Sequence, residues 1–416
     1  MMDATDVIYH RVAGIDVSKN DAKVCVRVPS SARSNTYRES VTTWGSTVPE
    51  IMALRVFLEE QHLDLVVMES TSDYWKPFFY LFEDTIPVRL VNARQARNLP
   101  GRKTDVSDAH WLAKTASWGM LAPSFVPPPP IRALRDLTRA RTTVTQYRVR
   151  ELQRLEKYLE NTGSKLSSVV SDLDGVSSKL ILHALVAGER NPQALAALAR
   201  GRLTSKIAQL EQALAGIRFT DHDAFMVRFH LDELDAQDAR LAALDTQIVE
   251  AFAPFRGQIA ILSTIPGVKT ATAQIIIAET GADMSAFPTA AHLASWAGVA
   301  PGNNESAGRH KPAPTTNGNN YLRGALGQTA LNIAKQKHGF LPDRYKRITN
   351  HRGKSRAIVA IEHSLITAIW NMLAHGLCYE EPPIHDTDQT KTDRNRQHAL
   401  KELRQLGYEV TLTRAA

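Results

Sequence analysis

The chain has almost no cysteine: Cys25 and Cys378 are the two in 416 residues. That excludes a disulfide framework and fits a reducing cytosol. Its fourteen histidines show no metal-ligand spacing against cysteine, which argues against a zinc site. The opening residues, MMDATDVIYHR, lack the apolar core of a signal peptide. No apolar run reaches ~18 residues, so neither a transmembrane helix nor a membrane partner is expected.

What the chain does have is length and positive charge. Its 416 residues exceed one ordinary core, so two or three domains are expected. Lys and Arg number 50 against 43 acids, a net charge of +7 and a pI near 9.3. This balance suits a polyanionic partner without requiring one. The distribution says more. Lys335 to Arg356 holds eight Lys or Arg and one acid, Asp343, and a second basic stretch runs from Arg132 to Lys157.

Four parts follow along the chain: residues 1–126, 127–258, 259–376 and 377–416. The first reads as α/β. Val12–Val17 and Ala22–Val28 are short β-rich runs joined by a turn at Ser18–Asp21, with a third, polar strand at Thr36–Thr42. Pro49–Gln61 has helical apolar spacing, Leu63–Met68 the length of a buried strand, and Tyr74–Phe82 a helical pattern. Val88–Val91 is a further strand, and Val106–Trp118 a helix ending before Gly119. Three strands followed by alternating helices and strands is the order of an RNase H-like sheet.

The prolines at 127–130 read as a stiff hinge. A long helix follows, with Leu152, Leu155 and Leu159 at helical spacing. A second spans Leu231–Phe252, where Leu234, Leu241 and Ile248 fall seven apart. Two such stripes predict an antiparallel coiled coil or a helical dimer interface. Ile265-Pro-Gly-Val268 with the helix Ala271–Glu279 resembles one helix-hairpin-helix turn, whose backbone N–H groups face phosphates. The tail beyond Gly376 is polar, with a short helix expected at His398–Leu406.

The acids of the first part carry the chemistry. Cleavage of a phosphodiester by two Mg²⁺ ions needs several acidic oxygens converging on metals ~3.5–4 Å apart. Magnesium takes hard oxygen ligands, held on rigid elements. Asp16 ends the first strand in Gly14-Ile-Asp-Val-Ser-Lys19, and Glu69 follows the apolar run Leu63–Met68. Asp105 and Asp108 lie at i and i+3 in Lys103-Thr-Asp-Val-Ser-Asp-Ala109, on one face of a helix's first turn. Taken singly, Asp105 reads as an N-cap, Asp16 as a turn residue and Glu69 as a solvated strand end. Together, in this order on these elements, they form a specific pattern. Gly14-Ile-Asp also resembles the first phosphate loop of actin-like ATPases, yet no second glycine-rich loop or adenosine motif accompanies it.

Farther on, Ala297 to Lys311 forms a polar, glycine-punctuated loop in which Ser306 stands beside Ala307 and Gly308. Small residues there admit a phosphate backbone, and Arg309, His310 and Lys311 are its natural partners. A serine needs a base, a metal or cations to attack phosphorus, and by spacing alone Ser306 reads as an ordinary loop serine. Asn317 to Arg323 opens a helix with Arg323 near its start, facing either DNA or solvent. Trp296 and Trp370 are expected in the core. The basic stretch 335–356, with Arg352 and Lys354, suits phosphate contact.

These residues resemble a family, the bridge-RNA-guided insertion-sequence transposases of the IS-one-ten type. The resemblance rests on Gly14-Ile-Asp-Val-Ser-Lys, Met68-Glu-Ser-Thr with Tyr74-Trp-Lys-Pro, and Leu90-Val-Asn-Ala. It continues through Pro100-Gly-Arg-Lys-Thr-Asp-Val-Ser-Asp-Ala, Ile265-Pro-Gly-Val, Leu293-Ala-Ser-Trp-Ala-Gly-Val-Ala-Pro and Asn320-Tyr-Leu-Arg, covering nearly the whole chain. It implies a RuvC-like DEDD domain made of Asp16, Glu69, Asp105 and Asp108 holding Mg²⁺ or Mn²⁺. It further implies a helical coiled-coil linker and a mainly α C-terminal domain with Ser306 as nucleophile. DNA contacts are expected from Arg102, Lys103, Arg309, Lys311, Arg323, Arg352 and Lys354. The implied partners are donor and target DNA, a structured noncoding guide RNA, and further copies of the chain, one subunit's carboxylates meeting another's serine. The implied setting is a bacterial cytoplasm, beside the nucleoid. Many relatives follow the serine loop with a denser basic run than Lys311-Pro-Ala-Pro-Thr-Thr-Asn317. The alternatives are a RuvC-like nuclease that cuts branched DNA by water attack, and a nucleic-acid-binding remnant without catalysis.

Overall fold

A computed structural model describes residues 7–31, 36–70, 72–92, 106–302, 305–306, 308–310, 314–381, 396–397 and 400–405. Of residues 106, 107, 305, 306, 309 and 310 it describes the backbone alone. The chain divides into two compact units, Met1–Val126 and Pro127–Ala416.

The first unit is a five-stranded mixed sheet. Strands β1 (Val12–Val17), β2 (Asp21–Pro29) and β3 (Tyr37–Gly45) form an antiparallel meander. After helix α1 (Val48–Glu60), strand β4 (Leu65–Glu69) pairs parallel to β1. Helix α2 (Trp75–Phe82) then leads to β5 (Val88–Val91), parallel to β4. The resulting order, β3-β2-β1-β4-β5, is RNase H-like, as the sequence pattern predicts.

Alternation along the strands sorts the side chains into two cores. Ala13, Ile15, Val24, Val26, Val66 and Met68 pack with α1 and α2 on one face. Val12, Cys25, Leu65 and Val67 pack on the other with Ala109, Leu112, Ala113 and Ala116 of α3 (Val106–Ser117). Every residue of β4 is buried, as its apolar run requires. β3 is polar because it is an edge strand, with one side of its ladder unpaired.

The second unit is mainly helical. Its first helix, α4 (Pro129–Asn161), begins inside the proline run, with Pro128 as N-cap. The run is thus only partly the hinge the sequence predicts, since a proline in the first turn has no N–H to lose and a φ already suited to a helix. Helix α5 (Asp221–Ala251) packs along α4, antiparallel. Arg141 meets Asp245, Arg148 meets Asp238, and Tyr158 meets Asp223, so one chain rises as the other falls. Between them, Leu166–Val169, Val176–Val186, Pro192–Ala196 and Ile207–Leu214 form a small lobe with its own core, including Leu155, Ile181, Leu210 and Val227.

Helices α6 (Arg256–Leu262) and α7 (Thr270–Thr280) flank the Ile265–Val268 turn, where Gly267 takes a left-handed φ of 85°. Next come α8 (Ala290–Ala297), the two-residue strands β6 (Glu305–Ser306) and β7 (Arg309–His310), α9 (Asn320–Ala334), α10 (Phe340–Arg352) and α11 (Lys354–His375). By length and composition α11 is able to cross a membrane, contrary to the expectation from apolar runs, which Glu362 and His363 interrupt. It packs as a core helix, burying Ile361, Leu365, Ile366, Ile369 and Met372. Trp370 is half-buried and donates its indole N–H to the Phe287 carbonyl at 2.8 Å, and Trp296 is also half-buried.

Candidate active site

Asp16 and Glu69 come together through strand register. β1 and β4 pair Gly14 with Val67 and Ile15 with Met68, and the next step sets Asp16 beside Glu69. Both belong to the face that carries Val12, Leu65 and Val67, under α3. Helix α3 then crosses the same strands. The N–H groups of Ile8 and Tyr9 donate to the Ser117 carbonyl at 2.9 and 3.1 Å, fixing the helix C-terminus at the start of β1. Running back over the strand, α3 meets Gly14 so closely that a Cβ there would lie 2.3 Å from the Ala109 carbonyl and 2.4 Å from the Ala113 nitrogen. Asp108, one residue before Ala109, therefore stands at the strand end that carries Asp16 and Glu69.

Burial separates these acids from ordinary surface carboxylates. Glu69 is 3% and Asp108 8% exposed, and Asp16 is partly buried. Glu69 is thus not a solvated strand end. The oxygen-only donor set suits a hard divalent cation. Among the described residues, no group of three or more His, Cys, Asp or Glu side chains is arranged to hold a metal ion. Asp105, Arg102 and Lys103 lie outside the described residues.

Two neighbours of the acids escaped the sequence reading. The β1–β2 register places Lys23 directly across from Asp16, on the same face. His110, two residues after Asp108 on α3, pairs with Glu39 of β3, which Arg27 of β2 also engages. This link ties the turn bearing Asp108 to the sheet. Lys23 was visible as the only cation at an inward position of β2's first half, had the register been known. Cys25, beside it in the core, has its thiol pushed up to about 12 by burial, which leaves it an inert packing group.

In the second unit, Ser306 lies in a hairpin. β6 and β7 pair Ser306 with Arg309 across a turn in which Gly308 has φ 74°. The side chains of Ser306 and Arg309, and all of Lys311, lie outside what the structure describes. The two ends of this loop meet at glycines. A Cβ on Gly318 would lie 2.2 Å from the Ala297 carbonyl, and one on Gly298 2.6 Å from the Gly318 nitrogen. Just beyond, Asn319 caps α9, its side-chain oxygen accepting from the Tyr321 and Leu322 N–H groups.

Arg323 is half-buried and donates to Thr315 Oγ1 at 3.3 Å. It is not the idle surface arginine that was one of its two readings. It also faces Glu362 of α11, whose carboxyl is raised by burial and lowered by this arginine, the burial winning. Arg352 and Lys354 flank Gly353 at the α10–α11 corner, and residues 351–356 are all exposed. By contrast, the basic stretch 132–157 is largely spoken for. Arg139 pairs with Glu279, Arg141 with Asp245, and Arg148 with Asp174 and Asp238.

A family model described as "Transposase", of the DEDD IS110 type, matches residues 13–163. Another, described as "Transposase IS116/IS110/IS902 family", matches residues 259–346. A curated relative from Streptomyces coelicolor, "Insertion element IS110 uncharacterized 43.6 kDa protein", is 32% identical over 127 residues. The match spans 29% of this chain and 30% of that relative, so less than a third of the relative's length is covered. Among solved structures, that of Thermus thermophilus RuvC is similar at 14% identity and a TM-score of 0.22, over 27% of this chain and 99% of that one. The two family matches take in the strand carrying Asp16, the helix carrying Asp108 and the loop carrying Ser306, more than half of the chain in all, and the protein belongs to the IS110 family of transposases.

Proposed function

We propose that this chain cuts and rejoins DNA at the ends of an insertion sequence, with Ser306 as nucleophile and Asp16, Glu69, Asp105 and Asp108 as the ligands of Mg²⁺ or Mn²⁺. What supports the proposal is the β1–β4 register, whose next step sets Asp16 beside Glu69, together with the approach of Ala109 to Gly14, which lays the first turn of α3 over the same strands. When bound, the divalent cations would supply Lewis-acid activation of the attacking oxygen and stabilisation of the leaving one. The chain's own part is to hold the carboxylates on rigid strands and a helix turn, and to bring Ser306 to the phosphorus.

In the proposed step the Ser306 Oγ–P bond forms as the P–O bond to one DNA sugar breaks. The serine proton is lost and the departing sugar oxygen gains one. The serine phosphodiester keeps the energy of the broken bond, and attack by a DNA hydroxyl reverses the step to seal a new junction. A guide RNA choosing the DNA by base pairing, and an oligomer joining one subunit's carboxylates to another's serine, are further parts of the proposal. So is phosphate contact by the exposed Arg352 and Lys354.

The test traps protein–DNA adducts in denaturant, using the chain with the DNA that flanks its coding region and transcripts of that DNA. Ser306→Ala is expected to abolish the adduct while leaving nucleic-acid binding intact, and Asp16→Asn to abolish strand cleavage. An adduct surviving Ser306→Ala removes the serine assignment. Cleavage without any adduct in the unaltered protein favours a RuvC-like nuclease using water.

A further inference from the structure

Glu279 is the last acid on α7 and is completely buried. Arg139 of α4 grips it with two parallel hydrogen bonds of 2.8 Å, Nε to Oε1 and Nη2 to Oε2. Arg135, one turn earlier, reaches Oε2 at 3.2 Å and also donates to the Ala278 carbonyl at 3.0 Å. The fourth member is Asn319, whose Nδ2 donates to Glu279 Oε2 at 2.6 Å. The opposite end of that amide is committed too: Oδ1 accepts from the Tyr321 and Leu322 N–H groups at 3.1 and 3.0 Å. The Arg139 guanidinium lies 4.6 Å over the Tyr321 ring.

Burying a carboxylate with two guanidinium groups seldom adds net stability over apolar packing, because desolvation offsets the attraction. What this cluster does supply is geometry, since one carboxylate draws α4, the end of α7 and the residue capping α9 to a single point. Here the geometry is delivered to one place. Asn319 directly follows Gly318, which is pressed against Ala297 and Gly298 at the other end of the serine loop.

We propose that Glu279, Arg135, Arg139 and Asn319 are positioning residues that lock the root of the 299–318 loop and so fix where Ser306 is presented. The inference rests on the reading of Ser306 as nucleophile. It assigns to Arg135 and Arg139 a role inside the chain, in place of the nucleic-acid contact their basic stretch invites.

Asn319→Ser tests it, because serine keeps an oxygen to cap α9 and lacks the Nδ2 donor to Glu279. The full-length protein is assayed with plasmid DNA carrying the flanks of its own coding region and their transcripts. The single-turnover rate of adduct formation at saturating protein is expected to fall by on the order of tenfold to a hundredfold. DNA affinity is expected to stay unchanged, and the protein to remain fully folded at the assay temperature although the buried carboxylate has lost a donor. Combining Asn319→Ser with Glu279→Gln should slow the reaction by less than the product of the two single changes, since the two residues share a hydrogen bond. Adduct formation at the unaltered rate in Asn319→Ser, or a loss matched by lost folding or lost DNA binding, overturns the inference. If Ser306→Ala itself leaves the adduct intact, it is the nucleophile assignment that fails. If Ser306→Ala abolishes the adduct and Asn319→Ser does not reduce it, only the positioning role fails.

Discussion

At the scale of single residues, Gly14 decides more than the acid two places after it. Its φ lies outside the left-handed region, so the need for glycine comes from space alone: the backbone of α3 occupies the volume a Cβ would take. Gly14→Ala must push α3 away from β1, and backbone atoms cannot swing aside as a flexible side chain can. The expected cost is about 1–3 kcal/mol, seen as a lower urea midpoint for the protein. An unchanged midpoint would mean that α3 does not sit on β1 as described. The elements that carry the acids were legible in the sequence, because each acid follows an apolar run or opens a helix. The register that sets Asp16 beside Glu69 was not, since it pairs strands some fifty residues apart. Lys23 was missed for the same reason: only the β1–β2 register puts it beside Asp16.

At the scale of elements, the α4–α5 pair shows where reading charge along a sequence misleads. The run from Arg132 to Lys157 looks like a footprint for a polyanion, yet several of its arginines are bound to acids far along the chain. Arg148 takes Asp174 and Asp238, 26 and 90 residues away. Sequence shows a charge and hides its partner. These contacts have a pH signature. Asp238 is held below its ordinary range, first by the hydrogen bond from Arg148 and then by charge attraction. Asp223 is lowered by its hydrogen bonds to Thr220. A carboxylate lowered in the folded state contributes stability above its unfolded pKa of about 3.9, and that contribution is lost as pH falls through the folded value. Arg148→Met is therefore expected to lower the thermal midpoint at neutral pH. Its deficit should shrink as pH drops below about 4, where the unaltered protein loses the same attraction. A deficit constant across that window would show that Arg148 acts by packing alone. The helices themselves were legible from their leucine spacing, while the start of α4 was not, because prolines serve a helix's first turn as readily as a hinge.

At the scale of the whole molecule, the two compact units divide the proposed chemistry. The first carries Asp16 and Glu69 at neighbouring strand ends; the second frames the loop of Ser306 with glycines and a buried ionic cluster. The strand order was readable from the succession of apolar runs, because an RNase H-like sheet places its first and fourth strands side by side. The Glu279 cluster was not readable, since its four members come from two helices and the cap of a third and span residues 135 to 319. A single acid closing the apolar stretch Ile275–Ala278 was the one trace it left in the sequence.

The proposal turns on Asp16, Glu69 and Asp108 binding a divalent cation together with Asp105. Titrating the full-length protein with Mn²⁺, and following bound ion by electron paramagnetic resonance, reads this without any need for turnover. The account predicts that Asp16→Asn, Glu69→Gln and Asp108→Asn each weaken Mn²⁺ binding by roughly tenfold or more, a loss of about 1.4 kcal/mol. Unaltered Mn²⁺ affinity in all three folded variants would contradict it.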